Sequence, residues 1–415
     1  MKNQKRAKLY LINQSANLPY FSGHTRQYEI GIGLNKLDWD IEILCSDFNI
    51  FSRKYTFLKP FQLIKSKIIE GVKWTWLYTS PYKKNNFLRY LNIILFCLNT
   101  SFYLISKLSF SRDVNKKSII LASSPQLPAA WCCLLISKLY KIPFIFEVRD
   151  IWPQVLIELG GKNKNDIFIR LLKYMETQLY KASDSIIVLS KGSIEYVRKY
   201  TNKDINWLPN GPNLKLFNSQ KIKSKKSQEK FNVLYPGAFG VANDLTNVIK
   251  AARILEINKE NNIKITLIGD GTEKNNLIEL SKGLKNISFQ SPVAKELMPK
   301  IYKSADIILV SLADIPMFKY GVSPNKLYDA YASGKPVIAT IPGYINKEIN
   351  DNNLGYGIEP NNPDLLANKM IKLSKIPIKE LNNMGYRARK LAEENYSREK
   401  IINSLNKLLR DKLKH

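Results

Sequence analysis

The chain has 415 residues, of which 45% are hydrophobic and 24% are charged, and its formal net charge is +29 at pH 7. This composition excludes a disordered chain, and the length allows two ordinary domains with a large core. The positive charge points to nucleic acid, an anionic membrane or anionic substrates as partners, with a coding bias toward lysine, asparagine and isoleucine as the alternative.

Strand-like and helix-like segments alternate along most of the chain, which is typical of parallel sheets with crossover helices. In the first half we predict strands at 8–13, 41–45, 118–122, 144–147, 185–189 and near Trp207. In the second half we predict strands at 232–235, 264–268, 287–289, 306–310, 336–340 and 356–359. The sequence therefore predicts an α/β fold of two doubly wound domains facing a cleft.

A polar, lysine-rich stretch at 219–230, SQKIKSKKSQEK, separates the two series of strands and is typical of a linker. We place the first domain at 1–215 and the second at 216–395. The remaining residues, 396–415, form a helix with one apolar face. We expect this helix to pack back on the first domain.

One segment, 52–117, interrupts the alternation with thirteen Lys or Arg, two acids and thirteen interleaved aromatic residues, Trp74 and Trp76 among them. Its residues 87–110 are long enough to span a membrane, which takes ~20 apolar residues. Four internal polar residues argue against spanning, and a helix lying in an anionic membrane interface fits better: Arg89, Asn92, Asn99 and Lys107. A buried crossover helix is the alternative.

The interleaved basic and aromatic residues of 52–117 would also suit binding to single-stranded nucleic acid. No RNA-binding module pattern accompanies them, and we expect no nucleic-acid partner.

The four cysteines, Cys45, Cys97, Cys132 and Cys133, lie in apolar stretches without metal-ligand spacing. We interpret them as reduced core residues of a cytoplasmic protein. Two histidines are too few for a histidine-based metal centre. The first residues run directly into a strand without the pattern of a signal peptide.

In the first domain, the predicted strand in FEVRDIWPQ ends in three charged residues, Glu147, Arg149 and Asp150. Charged groups at this end of a parallel sheet are typical of a functional site, and a strand-end ion pair is the alternative. The loop before the first helix, in NLPYFSGHTRQYEIGIGL, adds Gly23, which permits close approach, and Arg26.

In the second domain, two glycine turns follow successive predicted strands. VLYPGAFG contains Gly237 and Gly240, and LIGDGTEKNNL contains Gly269, Asp270 and Gly271. Glycines at such turns let backbone amides approach a ligand, and the following helix dipole favours an anion.

The stretch GVSPNKLYDAYASGKPVIAT predicts a helix from Asn325 that ends at Gly334, followed by a buried strand. Ser323, Asn325 and Lys326 surround its first turn, where Pro324 fits because no N–H is needed. Lys326 adds a cation suited to a diphosphate. Asp329 lies one turn further on much the same side, where it could accept bonds from ribose hydroxyls. A capped helix with a surface Lys–Asp pair is the alternative.

These motifs in this order resemble the retaining GT-B glycosyltransferases of bacterial O-antigen and capsule synthesis, and most of all the transferases of N-acetyl-L-fucosamine. The resemblance rests on SGHTRQYEIGIGLNKLDWDIEIL, ASSPQLPAAW, FEVRDIWPQVLIELG, LPNGPNLKLF, YPGAFG, LIGDGTEKNNL and SPNKLYDAYASGKPVIA. It implies a nucleotide site on the second domain and an acceptor site on the first. It also implies that Gly269 and its neighbours line the nucleotide site, that backbone near Val293 contacts the base, and that Asp329 holds the ribose. Asn210, in LPNGPNLKLF, joins the substrate-binding candidates.

The sequence departs from the broader superfamily at three positions. The first of two glutamates, which have seven residues between them, falls on Gly321, while the second matches Asp329. An arginine and a lysine that bind the diphosphate fall on Ala238 and Asn243. The cation must then come from Lys326, Lys319 or Arg26.

The resemblance implies transfer of a sugar, such as an N-acetylated deoxy-hexosamine, from a UDP-sugar to a lipid-diphosphate-linked acceptor. The expected place is the cytoplasmic face of the bacterial inner membrane, with the protein bound peripherally to the anionic surface. The candidate catalytic residues are Asp150, Arg149 and Lys326, and no metal or cofactor is implied. The alternative is a nucleotide-sugar 2-epimerase of the same architecture.

Overall fold

The computed structural model describes residues 6–21, 24–50, 52–83, 87–110, 117–218 and 230–414. Gly23 and nearly all of the predicted linker lie outside the described residues. The chain forms two compact units: unit 1 comprises Met1–Leu208 with Ile401–His415, and unit 2 comprises Pro209–Lys400. The division falls at Leu208 rather than at 215, because Pro209 and the residues after it pack with the second sheet's unit.

Unit 1 has strands β1 (Ala7–Ile12), β2 (Trp39–Ser46), β3 (Phe48–Asn49), β4 (Lys54–Tyr55), β5 (Ile64–Ile69), β6 (Val72–Leu77), β7 (Ser118–Ser123), β8 (Phe144–Val148), β9 (Ser185–Val188) and β10 (Ile205–Trp207). Its helices are α1 (Arg26–Asn35), α2 (Phe87–Ser109), α3 (Leu127–Tyr140), α4 (Gln154–Glu158), α5 (Ile167–Ala182) and α6 (Gly192–Arg198).

The main sheet of unit 1 runs in the order β10-β9-β8-β7-β1-β2-β6-β5, and the ladder is parallel except where β5 pairs with β6. The chain leaves β1 toward β2 and later returns from β6 to β7, so the direction of winding reverses between β1 and β7. Right-handed crossovers then place α2, α3 and α5 on one side of the sheet and α1 on the other. The strands predicted for the first half are all found.

The hairpin β5–β6 corrects our interpretation of 52–117 as one membrane-associating segment. Trp74 and Trp76 lie on β6 and are 0% and 2% exposed, so they belong to the core of the sheet. The turn between the strands is Glu70-Gly71, with φ of 50° and 79°. Two consecutive positive φ angles are what a tight two-residue hairpin requires, and the Glu-Gly pair was the available signal.

Unit 2 has strands β11 (Phe231–Pro236), β12 (Ile263–Ile268), β13 (Ile287–Gln290), β14 (Ile307–Ser311), β15 (Val337–Thr340) and β16 (Gly355–Ile358). Its helices are α7 (Leu214–Asn218), α8 (Leu245–Ile257), α9 (Lys274–Leu280), α10 (Met298–Ser304), α11 (Asn325–Ser333), α12 (Tyr344–Asp351), α13 (Pro363–Ser374) and α14 (Ile378–Asn395). The last helix, α15 (Arg398–Lys412), begins in unit 2 and continues in unit 1.

The sheet of unit 2 is parallel, in the order β13-β12-β11-β14-β15-β16, and the strands predicted for the second half are all found. The chain winds outward from β11 through β12 and β13, then resumes at β14 on the other side of β11. The winding direction therefore reverses between β11 and β14. In open α/β sheets, ligands bind beyond the carboxyl ends of the strands at such a reversal.

Helix α15 packs against the α1 side of unit 1. Its residues Ile401, Leu405 and Leu409 are buried in the same hydrophobic cluster as Leu34. The indole nitrogen of Trp39 donates to Asn406 at 2.7 Å. These contacts follow from the apolar spacing of the helix, which leaves one side to bury.

Two of the four cysteines are fully buried, Cys45 and Cys133. Cys97 on α2 and Cys132 on α3 are only half-buried, and their sulfur atoms are 3.2 Å apart. The expectation of four core thiols therefore holds for two of them.

Candidate functional site

A cavity of about 360 Å³ lies beyond the carboxyl ends of β11 and β12 in unit 2, next to the reversal in winding. We call it the unit 2 cavity. It brings together six of the predicted residues: Gly237, Gly269, Asp270, Val293, Lys326 and Asp329. Its walls also include Met298 and Tyr302, which sequence reasoning did not mark. Both come from α10, whose position depends on tertiary packing.

The two glycine turns form the floor of the unit 2 cavity by packing against each other. A Cβ atom at Gly269, where φ is +157°, would lie 1.8 Å from the carbonyl oxygen of Gly237. The amide of Gly237 donates to Ile268 at 2.9 Å, and that of Gly269 donates to Gln290 at 3.1 Å. These two amides are therefore occupied, and the glycines serve close packing of the turns rather than donation to a ligand.

The other turn glycines lie outside the cavity lining. A Cβ at Gly271 would be 2.4 Å from the carbonyl oxygen of Phe239, so it also allows close packing. Gly240 has room for a side chain, since the nearest atom would be 3.8 Å away. The structure therefore gives no steric reason for glycine at 240.

Lys326 is the cation of the unit 2 cavity. Its Nζ lies 2.9 Å from the Tyr235 hydroxyl, 2.5 Å from Oδ1 of Asn243 and 3.4 Å from the carbonyl oxygen of Ser311. None of these three partners is charged, and burial lowers the pKa of Lys326 to about 7. An ammonium held by neutral oxygens in a cavity is suited to an anionic ligand, which would restore its charge.

The contact with Asn243 explains how a cation is retained despite the departure at that position. By the motif resemblance, Asn243 falls at the position of the superfamily's lysine, and its side chain accepts from Lys326. The ammonium of Lys326 thus lies beside the position of the missing lysine side chain. Arg26 and Lys319, the other candidates, do not line the cavity.

Helix α11 positions Lys326 and Asp329 together. It begins at Asn325 and ends at Gly334, whose φ of 66° gives the expected left-handed C-cap. We predicted Pro324 within the first turn, but it is the residue immediately before the first helical residue. Asp329 lines the cavity beside Tyr302, where burial and the charge of Asp329 raise the pKa of the tyrosine well above its usual value.

Ser323 and Asn210 support the loop before α11. The Asn210 amide donates to Ser323 Oγ at 3.1 Å, and its side-chain nitrogen donates to the Ser323 carbonyl at 2.8 Å. The Ser323 hydroxyl also contacts the Tyr328 hydroxyl at 2.8 Å. Neither residue lines the unit 2 cavity, and neither does Asn325, which is exposed. The structure therefore assigns Ser323 and Asn210 a positioning role.

In unit 1, Arg26 and Glu147 form a buried ion pair beside the reversal in winding. Arg26 Nε donates to Glu147 at 2.8 Å, and another guanidinium nitrogen donates to the carbonyl of Leu208 at 2.9 Å. Ser123 donates to Glu147 at 2.8 Å. Burial raises the pKa of Glu147, but Arg26, Arg149 and Ser123 outweigh burial and hold it below its usual value. These bonds correct the assignment of Arg26 to a diphosphate and of Glu147 to a substrate.

Arg149 faces a different set of partners from those expected of a strand-end ion pair. Its guanidinium lies 3.1 Å from Nδ1 of His24 and 3.4 Å from Oε1 of Gln27. Burial and the charge of Arg149 lower the pKa of His24 to about 3, so the imidazole is neutral. Because an arginine can only donate, Nδ1 accepts and Nε2 carries the proton. His24 is thus a hydrogen-bond donor that a lone histidine in the sequence did not reveal.

Asp150 follows Arg149 at the carboxyl end of β8, and its side chain is exposed. The backbone amides of Arg149 and Asp150 both donate to Ser124 Oγ, at 2.9 and 3.1 Å. The loop is therefore fixed by its backbone, and the Asp150 carboxylate is available at the edge of the sheet. Across the described ranges, no three His, Cys, Asp or Glu side chains group closely enough to hold a metal ion.

Comparisons with known proteins relate the chain to glycosyltransferases. Residues 217–391 match the family model described as glycosyl transferases group 1, and this range makes up most of unit 2. A probable glycosyltransferase of Pseudomonas aeruginosa, WbjE, is 23% identical over 274 residues. That alignment covers 61% of this chain and 64% of the relative, less than two thirds of its length. Neither finding favours the epimerase alternative.

Two solved structures show the same fold. Sucrose-phosphate synthase of Thermosynechococcus elongatus has a TM-score of 0.74 at 15% identity, over 98% of this chain and 99% of that one. Anabaena HepE, solved in complex with UDP, has a TM-score of 0.69 at 14% identity, over 98% of this chain and 100% of that one. The predicted GT-B fold of two doubly wound α/β domains is confirmed. The finer resemblance to N-acetyl-L-fucosamine transferases stays a prediction.

Proposed function

We propose that the protein is a retaining glycosyltransferase that moves a sugar from a UDP-sugar to a lipid-diphosphate-linked acceptor. One observation carries the donor half of this proposal. Lys326 and Asp329 extend from one helix into the unit 2 cavity, within the range that matches group 1 glycosyl transferases. A cation and a carboxylate one helical turn apart suit the diphosphate and the ribose of a nucleotide.

The nucleotide lies in the unit 2 cavity with its diphosphate at Lys326 and its ribose hydroxyls on Asp329. The base approaches backbone near Val293, which lines the same cavity. The UDP complex of Anabaena HepE supports the choice of UDP. The motif resemblance supports an N-acetylated deoxy-hexosamine, such as N-acetyl-L-fucosamine, as the sugar, and O-antigen or capsule synthesis as the pathway.

In the reaction, the bond between the sugar and the diphosphate breaks and negative charge develops on the leaving oxygen. Lys326 and the amino end of α11 stabilise that charge, since both are positive and already in place. The leaving diphosphate itself accepts the proton of the acceptor hydroxyl. The proposal therefore needs no strong protein base and no metal in the donor site.

The acceptor binds unit 1, with Asp150 and Arg149 at the edge of the sheet orienting the hydroxyl that attacks. Asp150 is exposed there, and His24 presents a donor beside Arg149. The proposal places the protein peripherally at the cytoplasmic face of the bacterial inner membrane, where a lipid-linked acceptor is found.

Helix α2 supports the membrane part of the proposal because the side that faces away from the core is largely apolar. The side turned inward buries polar and apolar side chains together: Asn92, Phe96, Thr100, Tyr103, Leu104 and Leu108. Asn92 donates to Thr79 and Ser80, and Tyr103 donates to Glu42. The outward side exposes Phe87, Tyr90, Ile94, Leu98, Phe102 and Ile105, at three- and four-residue spacing. Its length and hydropathy would allow a membrane span, but 39% of its apolar window is buried within the protein. An apolar stripe facing outward on a packed helix suits contact with a lipid surface.

The double variant Leu98→Gln, Phe102→Gln should bind anionic vesicles roughly 30-fold more weakly, at about 1 kcal/mol for each partly inserted side chain. Vesicle sedimentation measures the partition. The matched control replaces Ile257 and Tyr386, which are 72% and 70% exposed on unit 2, and should bind like the wild type. Extraction by high salt or alkali should release the protein from membranes. Resistance to both treatments would contradict peripheral binding.

A panel of UDP-sugars and lipid-diphosphate acceptors tests the function directly. Mass spectrometry of the lipid product should show one added sugar for a matching pair, with the anomeric configuration of the donor kept. Epimerisation of a nucleotide sugar without any acceptor would contradict the proposal.

Replacing Asp329 with alanine should weaken binding of free UDP by about 1.5–3 kcal/mol, the usual loss for a hydrogen bond to a charged group. Isothermal titration calorimetry measures this change. Glu279→Ala is the control and should bind UDP like the wild type, because Glu279 is an exposed carboxylate of unit 2 outside the cavity lining and pairs with Lys282 at 2.7 Å. Wild-type affinity in the Asp329 variant would remove the residue from the ribose site.

A further inference from the structure

A second cavity, of about 400 Å³, lies in unit 1 between α4 and α5. We call it the α4–α5 pocket. Three of its lining residues are cations, Lys164, Arg170 and Lys173, and none is an acid. Its apolar lining includes Ile157 and Ile169. A pocket with this lining suits an anionic group joined to an apolar one.

The lining of the α4–α5 pocket is positively charged, and Glu158 of α4 lies next to it, accepting from the lining residue Gln154 at 2.6 Å. Lys173 is neutralised, since its Nζ donates to Glu176 at 2.5 Å and to the Tyr196 hydroxyl at 2.6 Å. Lys164 and Arg170 are both exposed. The nearby Asp166 caps the first turn of α5 by accepting from Phe168 at 2.8 Å. The two exposed cations therefore define the charge that a ligand entering the pocket meets.

The α4–α5 pocket borders an apolar surface that continues from α2. Helix α3 packs between α2 and α5 on the same side of the sheet. Helix α5 exposes Ile167 and Tyr174, which are 84% and 54% accessible, and α3 exposes Leu139 at 72%. The ring of Tyr90 on α2 contacts that of Phe168 on α5, with centroids 5.3 Å apart. Arg170 thus lies beside a surface able to hold lipid chains.

The α4–α5 pocket is also close to the edge of the sheet that carries the acceptor residues. Pro153, which lines it, is three residues from Asp150. Three residues span at most ~11 Å of extended chain. The Pro153 end of the pocket therefore lies within about 11 Å of Asp150 along the chain.

We propose that the α4–α5 pocket binds the diphosphate of the lipid-linked acceptor through Lys164 and Arg170, with the lipid chain against the exposed apolar side of α5 and α3. This inference rests on the proposed function and assigns its acceptor a site. The diphosphate would anchor the acceptor while its sugar extends toward Asp150.

Farnesyl diphosphate is a soluble probe that carries both a diphosphate and an apolar chain. It is titrated into the full-length protein in the presence of saturating UDP, which occupies the donor site. The double variant Lys164→Gln, Arg170→Gln should bind it at least about tenfold more weakly, as expected for lost bonds to a charged group. Lys181→Gln, an exposed lysine on the same helix outside the pocket, should bind like the wild type. Wild-type affinity in the double variant would overturn the proposal.

Vesicles separate a diphosphate site from general attraction to anionic lipid. The double variant should lose its preference for neutral vesicles that carry a polyprenyl diphosphate over plain neutral ones. It should keep most of its binding to vesicles of anionic phospholipid. Equal losses on both would overturn a specific site. Because these readouts measure binding, they hold even if no acceptor in the transfer panel is glycosylated, and UDP affinity reports the donor site separately.

Discussion

We expect the Lys326→Met variant to lose turnover on the order of 10²- to 10³-fold, the usual effect of removing one donor that stabilises charge in a transition state. The ammonium is held by neutral oxygens only, so a bound diphosphate is the anion that matches it. UDP should bind about 1.5–3 kcal/mol more weakly, while uridine, which has no phosphate, should bind as before. Steady-state kinetics and calorimetry measure the two effects.

The melting temperature of the Lys326→Met variant separates this role from a structural one. Burial lowers the pKa of Lys326 from 10.5 to about 7. Between these two pKa values the unfolded chain binds the proton of Lys326 more tightly than the folded chain does, so the lysine lowers the free energy of unfolding. That free energy therefore rises as the pH increases from about 7 to 10.5. Removing it should leave the melting temperature unchanged or raise it. A large fall in melting temperature with normal UDP affinity would contradict the proposed role.

Lys326 also predicts how UDP binding depends on pH. Near pH 7 the free protein is partly deprotonated at this residue, and a bound diphosphate favours the ammonium, so binding takes up protons. The affinity for UDP should therefore fall as the pH rises above 7. The variant Lys326→Met should lack this fall, and because UDP titrates identically in both experiments, the difference isolates the lysine.

The second large effect is expected at Asp150. Changing it to asparagine should lower turnover on the order of 100-fold or more, the usual range for a group that handles a proton or orients the reacting hydroxyl. The affinity for UDP should stay the same because Asp150 belongs to unit 1 and the nucleotide to the unit 2 cavity. Transfer rates and calorimetry on the same protein test both statements.

The Asp150→Asn variant is well suited to this test because the loop is fixed without its carboxylate. Ser124 Oγ accepts from the backbone amides of Arg149 and Asp150, and those bonds remain. Asp184 provides a control: its carboxylate accepts from the Phe144 amide at the other end of β8. Asp184→Asn should cost stability and leave turnover per folded molecule intact. Normal turnover with a lower melting temperature in the Asp150 variant would support a structural role instead.

Local pattern alone determined most of the secondary structure of this protein. Buried parallel strands require apolar runs of a few residues, and their turns require glycine or proline, so the strands from β1 to β16 could be predicted outside 48–77. The hairpin β5–β6 was missed because basic and aromatic residues dominate its composition. Tryptophans among basic residues suggested contact with a membrane, but Trp74 and Trp76 lie in the hydrophobic core of the sheet.

The sequence also placed the right residues at the ends of the right strands, because parallel sheets bind ligands at one edge. Gly237, Gly269, Lys326 and Asp329 meet in one cavity as that rule implies. What each side chain does there depends on atoms that are distant in sequence. The two glycines pack on each other, and Lys326 reaches Asn243, 83 residues away.

Only the tertiary structure decided which charged groups are already paired. Arg26 and Glu147 are 121 residues apart and satisfy each other in the core, whereas Lys326 meets only neutral oxygens. No local pattern distinguishes these cases, since a charge looks the same in the sequence whether its partner is a buried acid or a ligand. Burial and long-range contacts distinguish the two cases. A buried cation without an acidic partner is destabilised by the loss of water, and binding an anion relieves that cost.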